Sequence, residues 1–150
     1  MRLKIPPPVL LVTSGAVMWF IARSAFAFPL AVPYSSAVAV VLGATGVLIG
    51  LLAVRQFRLA ETTVNPFRPE KSSALVRTGI FGKSRNPMYV GLLVILIGWA
   101  VWLGSLSNIL VLILFWVVIT ELQIKPEEAA LRTLFGQDYE KYCRQVARWV

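Results

Sequence analysis

The chain has 150 residues, 57% of them hydrophobic, with 15 basic and 7 acidic side chains and a formal net charge of +8. Mean hydropathy is +0.72, and the apolar share exceeds the ~45–50% usual for soluble domains. Because that share is gathered into long uncharged blocks, it excludes a soluble basic protein that spreads Lys and Arg over surface helices to bind nucleic acid. With no histidine and a single cysteine, Cys143, the sequence also excludes His-based acid–base catalysis, imidazole metal ligands, an intrachain disulfide and a thiolate cluster. A metal site would have to be built from carboxylates alone, and none is expected.

The expected fold is an all-α integral membrane protein, one domain over residues 1–150 with about four transmembrane helices. The first apolar stretch, Ile5 to Ala22, is interrupted only by Thr13 and Ser14, and its span is placed at about 7–27. The second, Tyr34 to Val54, is uncharged and carries Gly43, Ala44, Gly46 and Gly50, small residues that let helices approach closely in lipid. Its span is placed at 34–55. From Asn86 to Thr120 no charge appears for 35 residues, and a break at Gly104–Asn108 divides this run into a hairpin, 88–103 and 107–122. C-terminal amphipathic helices are expected over 126–149.

Fourteen of the 15 basic residues fall in the segments that four spans place on one side, which the positive-inside rule makes cytoplasmic. Both termini and the middle loop are therefore expected inside, most simply at a bacterial inner membrane. Arg23 is the exception, expected to snorkel at the outer end of the first helix. A cleaved secretory signal ending at Ala25-Phe26-Ala27 is the less favoured reading of the N-terminus. All seven acids also lie on the cytoplasmic side, which counts against a transporter with a mid-membrane ionisable group.

Three cytoplasmic segments carry polar chemistry. Thr62-Thr63-Val64-Asn65-Pro66 reads as a turn. Between Leu75 and Gly91, Gly79 and Gly82 permit tight backbone geometry, and Asn86-Pro87 reads as N-cap and first turn of a helix whose N–H groups could receive a carboxylate. Read as structure alone, this is a basic loop that meets lipid headgroups and starts a helix. Pro126-Glu127-Glu128 opens a helix that stops near Gly136, with acids in the first turn and Glu128–Arg132 at i,i+4. Beyond it, Tyr139, Tyr142, Cys143, Val146 and Trp149 recur at helical spacing, a face that lies on the membrane or closes over the loop.

The run GIFGKSRNPMYVG, a helical hairpin, and then EEAALRTLFGQDYEKYCRQVARW together resemble the isoprenylcysteine carboxyl methyltransferase and phospholipid methyltransferase group of integral membrane enzymes. The family's hallmark is Arg-His-Pro-x-Tyr-x-Gly, a hairpin, Glu-Glu and a Phe-Gly-x-x-Tyr-x-x-Tyr tail, and the likeness covers roughly residues 62–149. It implies S-adenosylmethionine as cofactor, held without a Rossmann domain by Ser73, Ala74, Leu75, Val76, Gly79, Phe81, Asn86, Pro87, Met88, Tyr89, Glu127 and Glu128. Glu127 would match the acid that pairs with the cofactor's ammonium group, and aromatic and apolar side chains would enclose adenine.

Methyl transfer is an in-line displacement at an already activated carbon, so proximity, alignment and a dry pocket suffice. An acceptor that must lose a proton would look to Tyr89 or Glu128, and a carboxylate acceptor to Arg85 or Lys125. Asn86 stands where the family has histidine, and Gln123 stands near a basic position implicated in substrate binding. The implied partner is a lipophilic small molecule or lipid, a prenylcysteine-like carboxylate or a lipid amine, that reaches the site from the bilayer. A non-catalytic membrane partner or assembly module of the same architecture is the alternative, and a small transporter the least favoured.

Overall fold

The computed structural model describes residues 5–60 and 75–150, and among them every regular element is helical. In chain order these are α1 (Pro7–Ala22), α2 (Ser35–Leu59), a 3₁₀ turn (Gly79–Gly82), α3 (Pro87–Leu103), α4 (Asn108–Ile119), a π-helical turn (Thr120–Ile124) and α5 (Lys125–Gln145). Ser73, Ala74 and the turn at 62–66 lie outside the described residues. Two helical runs, Ser35–Leu59 and Asn108–Gln145, are long and apolar enough to cross a membrane, and α1 and α3 are shorter apolar helices.

The helix expected to reach residue 27 ends at Ala22. There the Ser24 hydroxyl donates to the Ile21 carbonyl at 2.8 Å and accepts from the Phe26 N–H at 3.1 Å, closing a turn that stops the helix. The following loop is tied to the α3–α4 turn. Leu30 N–H donates to Gly104 O and Leu106 N–H to Phe28 O, both at 2.8 Å. Gly104 takes φ +60°, a left-handed value that ends α3 and that glycine adopts at little cost. Arg23 caps α1 and stands 4.1 Å over the Trp19 ring.

Two contacts organise the bundle. Gly46 of α2 and Gly91 of α3 meet backbone to backbone: a Cβ on Gly46 would lie 2.5 Å from Gly91 O, and one on Gly91 would lie 2.6 Å from Gly46 O. Gly43 and Gly50, drawn into the same expectation, instead face open space. On the other side of α3, Met18, Leu96, Val111, Phe115 and Ile119 form the core that joins α1, α3 and α4, with Tyr89 and Ile124 in the same cluster. Thr13, Thr45 and Thr120 satisfy their hydroxyls on carbonyls four residues back, which lets polar side chains sit in apolar helices.

No break follows residue 122. Pro126 has no N–H for the carbonyl of residue 122, and its ring would crowd that carbonyl in a regular helix. The chain widens into the π turn immediately before it and runs on as α5. The helix then kinks at Gly136 (φ +49°, ψ −122°) and ends at Gln145, so the helix expected to 149 gives way to an extended tail from Val146. Trp149 of that tail packs against the core, its ring 6.2 Å from Trp116 of α4.

Candidate functional site

Pro87 sets the first turn of α3, and Asn86 occupies the N-cap position but does not cap with its side chain. Its amide instead donates to the Arg148 carbonyl at 3.0 Å, and its N–H donates to the Ser84 hydroxyl at 3.1 Å. The N–H groups of Tyr89 and Val90 both donate to Asn86 O. The Tyr89 and Val90 N–H groups are thus turned back onto the Asn86 carbonyl within the first turn.

One turn into α3, Tyr89 is buried, and its hydroxyl donates to Glu127 Oε1 at 2.7 Å. The two residues come from the opposite ends of the α3–α4 hairpin and meet because the π turn carries the helix on to the first turn of α5. Burial pushes the Glu127 carboxyl up to about 7; the Tyr89 hydrogen bond lowers it, and the neighbouring Glu128 charge raises it again. Among the described residues no Lys or Arg forms an ion pair with Glu127. It is a carboxylate placed where a cation would lower its free energy.

Glu128 is its opposite. It is 3% exposed and accepts from Arg85 Nη2 at 2.8 Å, Arg148 Nε at 3.0 Å and Arg148 Nη2 at 2.7 Å. Burial opposes its ionisation, but the Arg148 hydrogen bonds and the charges of Arg85 and Arg148 outweigh that and hold its carboxyl below the usual carboxylate range. Arg132, expected to pair with Glu128 along the helix, pairs instead with Glu140 at 2.8 Å across the Gly136 kink. That contact is half exposed and contributes little.

Around this ion triad the tail is strapped to the loop before α3. Arg85 N–H donates to Ala147 O at 3.0 Å, Arg85 Nη1 to Cys143 O at 3.3 Å, and the buried Tyr142 hydroxyl to Phe81 O at 2.7 Å. Tyr139 stacks edge-on to Tyr142, and burial pushes both phenols up, so both remain neutral donors at physiological pH. Of the two positions expected for the aromatic C-terminal face, closure over the loop is the one observed.

On the α2 side, Val76, Phe81 and Met88 gather around Ala53, with the Phe57 ring 5.0 Å from Phe81 at 75°. Gly79 has φ +60°, and a Cβ there would run into the Gln56 side chain. Leu75 precedes this cluster, half-buried. Met88 and Tyr89, adjacent in sequence, thus face two neighbouring surfaces, one apolar and aromatic and the other carrying Glu127. Gln123 lies apart from both: its amide donates to Ile5 O at 2.7 Å and fixes the start of α1. The sequence reading missed Arg148 as the second partner of Glu128. No local signal pointed to it, because Arg148 reaches Glu128 from a tail 20 residues further along the chain.

The sequence matches the phospholipid methyltransferase family over residues 34–138, about two thirds of the chain, from the start of α2 into α5. A protein-S-isoprenylcysteine O-methyltransferase of Schizosaccharomyces pombe is 35% identical over 77 residues, 51% of this chain and 32% of that protein. A probable protein-S-isoprenylcysteine O-methyltransferase of Oryza sativa is 31% identical over 114 residues, 75% of this chain and 59% of that protein. An uncharacterized protein of Haemophilus influenzae is 43% identical over 63 residues, 42% of this chain and the whole of that protein. The chain thus spans about a third to three fifths of the two named methyltransferases. On the extent of the family match and the order of its segments, this chain belongs to the phospholipid methyltransferase family of membrane methyltransferases.

Proposed function

We propose that the chain transfers a methyl group from S-adenosylmethionine to a lipophilic or membrane-embedded acceptor bearing a carboxylate or an amine. The observation that carries this reading is the Tyr89–Glu127 hydrogen bond. It unites the helix-start motif with the paired acids, and among the described residues no Lys or Arg forms an ion pair with Glu127. Residues fit the cofactor's chemistry: an uncompensated carboxylate for its ammonium group, and Phe81, Phe57, Val76 and Met88 as an apolar and aromatic wall for its base. Leu75, Gly79, Asn86 and Pro87 shape the adjoining backbone. Bound there, the cofactor supplies a methyl group already activated by a positive sulfonium.

What this chain's residues contribute is binding, alignment and exclusion of water. Glu127 orients the methyl donor, and Tyr89 holds Glu127 in place. Glu128, ionised between two arginines, is a weak proton acceptor; it and Arg85 are positioning residues that lock the tail over the loop. Tyr89 is the polar group left to face an acceptor that loses a proton. Gln123 fixes the start of α1 through Ile5 O.

In this reading α1 to α4 cross the bilayer with both termini and the 60–86 loop on the cytoplasmic face, as the charge distribution directs. α1 and α3, 16 and 17 residues long, extend roughly 24–26 Å and meet a ~30 Å hydrocarbon layer by local thinning or by their polar ends. The test is incubation of the purified protein with tritiated-methyl S-adenosylmethionine and a total bacterial lipid extract. The expected result is protein-dependent label in the organic phase. Label that stays in the aqueous phase with every extract would refute the proposal.

A further inference from the structure

The loop between α1 and α2, residues 23–34, hides its polar backbone and displays its apolar side chains. Phe26 is 79% exposed, Phe28 69% and Tyr34 86%. Phe28 and Leu30 flank Pro29, the residue bridged to Ser105, and so share one face of the extended strand. In water such rings would gain by turning inward, yet the chain holds them outward.

The loop is pinned. Ser107 Oγ donates to Phe26 O at 2.6 Å and accepts from Phe28 N–H at 3.2 Å, beside the Leu30–Gly104 and Leu106–Phe28 hydrogen bonds. Of the seven N–H groups from Arg23 to Leu30, six are donated within the protein. Water would satisfy the amides of an exposed loop without such bonds. An apolar phase would not, and there the backbone must be satisfied internally. Tyr34 adds a separate sign. It takes φ +55°, a left-handed value that bulky residues rarely adopt, although little of its ring packs against the protein.

Charge agrees. Between Lys4 and Arg55 the sequence carries one charged residue, Arg23, and the α3–α4 turn that pins the loop lies in an uncharged run. Arg23 stands over the Trp19 ring at the end of α1. Irregular backbone is excluded from the hydrocarbon centre of a bilayer, so a pinned aromatic loop belongs at its edge, where Tyr and Trp collect. We propose that this loop is an interfacial anchor, with Phe26, Phe28, Leu30 and Tyr34 seated between the headgroups and acyl chains of the leaflet opposite the cytoplasm. The assignment rests on the four spans proposed above and not on methyl transfer. Seated so, the loop takes up part of the roughly 4–6 Å by which α1 and α3 fall short of a ~30 Å hydrocarbon layer. It also sets the depth of the Tyr89–Glu127 pair, since Gly104 ends α3 roughly 22 Å from Tyr89.

Nitroxide labels supply the experiment. They are introduced by Phe26→Cys, Phe28→Cys, Leu48→Cys and Lys83→Cys, each in a full-length Cys143→Ser background. All four labelled side chains are exposed, and Leu30→Cys repeats the reading should a phenylalanine variant fail to fold. In phosphatidylcholine–phosphatidylglycerol vesicles, power-saturation resonance compares collisions with oxygen, concentrated among acyl chains, against those with a water-soluble nickel chelate. The expected labels at Phe26 and Phe28 lie about 5–10 Å inside the headgroup boundary, with Leu48 deeper and Lys83 in water.

Labels at Phe26 and Phe28 that match Lys83 while Leu48 lies in lipid would overturn the anchor and leave the spans intact. A Leu48 label as open to nickel as Lys83 would instead remove the four-span reading on which the anchor rests. Labels at Phe26 shielded from both quenchers and broadened by spin–spin coupling would show a second copy covering the loop, which also overturns the proposal.

Discussion

Tyr89 and Glu127 are 38 residues apart in the chain, and their side chains meet at 2.7 Å. Glu128, the next residue, binds two arginines, so two adjacent acids have opposite electrostatic surroundings. One is balanced by Arg85 and Arg148, and the other forms no ion pair among the described residues.

That contrast gives a pH dependence. The folded protein holds the Glu127 proton more tightly than the unfolded chain, with the carboxyl raised from 4.5 to about 7. The stability contributed by this residue is therefore fully present below about 4.5 and is lost as pH rises through 7. A ligand ammonium reverses the preference and drives the proton off. Calorimetry of S-adenosylmethionine binding at pH 6 in buffers of different ionisation enthalpy should show release of close to one proton. Affinity should also weaken by up to about tenfold per pH unit below 7. Binding with no proton exchange at pH 6 would argue that Glu127 is not at the ammonium.

The tail is predicted to depend on Glu128. Glu128→Gln leaves the buried Arg85, whose side chain is 9% exposed, without its counter-charge and should destabilise the fold by about 3–5 kcal/mol. Arg148→Met leaves Arg85 paired and should cost less, about 1–3 kcal/mol. Thermal unfolding followed by tryptophan fluorescence ranks the two, and Trp149, against the core in the closed tail, reports release directly. Equal midpoints for both variants would contradict the ion triad.

Close approach of α2 and α3 makes a third prediction. Gly91→Ala places a methyl 2.6 Å from the Gly46 carbonyl, where the helices must separate, at a cost of roughly 1–3 kcal/mol. Gly50→Ala, also on α2 but facing open space, should be neutral or slightly stabilising through helix propensity. Melting temperatures in one detergent compare them; similar losses in both would place the helix contact elsewhere.

Much of this was legible in the residues because apolar helices announce themselves by uncharged length, and because Pro87 and Gly104 mark ends that local sterics enforce. The junction at 120–126 was not. Pro126 after a charged stretch looks like a helix start, and only the packing of Ile119 and Ile124 into the same core holds the chain helical through the π turn. The partners of Glu128 were hidden for a related reason. Spacing favours Arg132, but Arg132 points to the exposed side and Arg148 reaches the buried carboxylate from a tail that must first fold back. Long-range closure of this kind has no local pattern.

The most direct measurement is calorimetric titration of S-adenosylmethionine into the purified wild-type protein and Glu127→Gln at pH 7.5, each in the same detergent. The substitution keeps the size and the Tyr89 contact but removes the charge. Saturable wild-type binding weakened about 10- to 150-fold by the substitution, a loss of ~1.5–3 kcal/mol for a charge-assisted hydrogen bond, is the predicted result. Equal affinities for the two proteins would contradict the role given to Glu127.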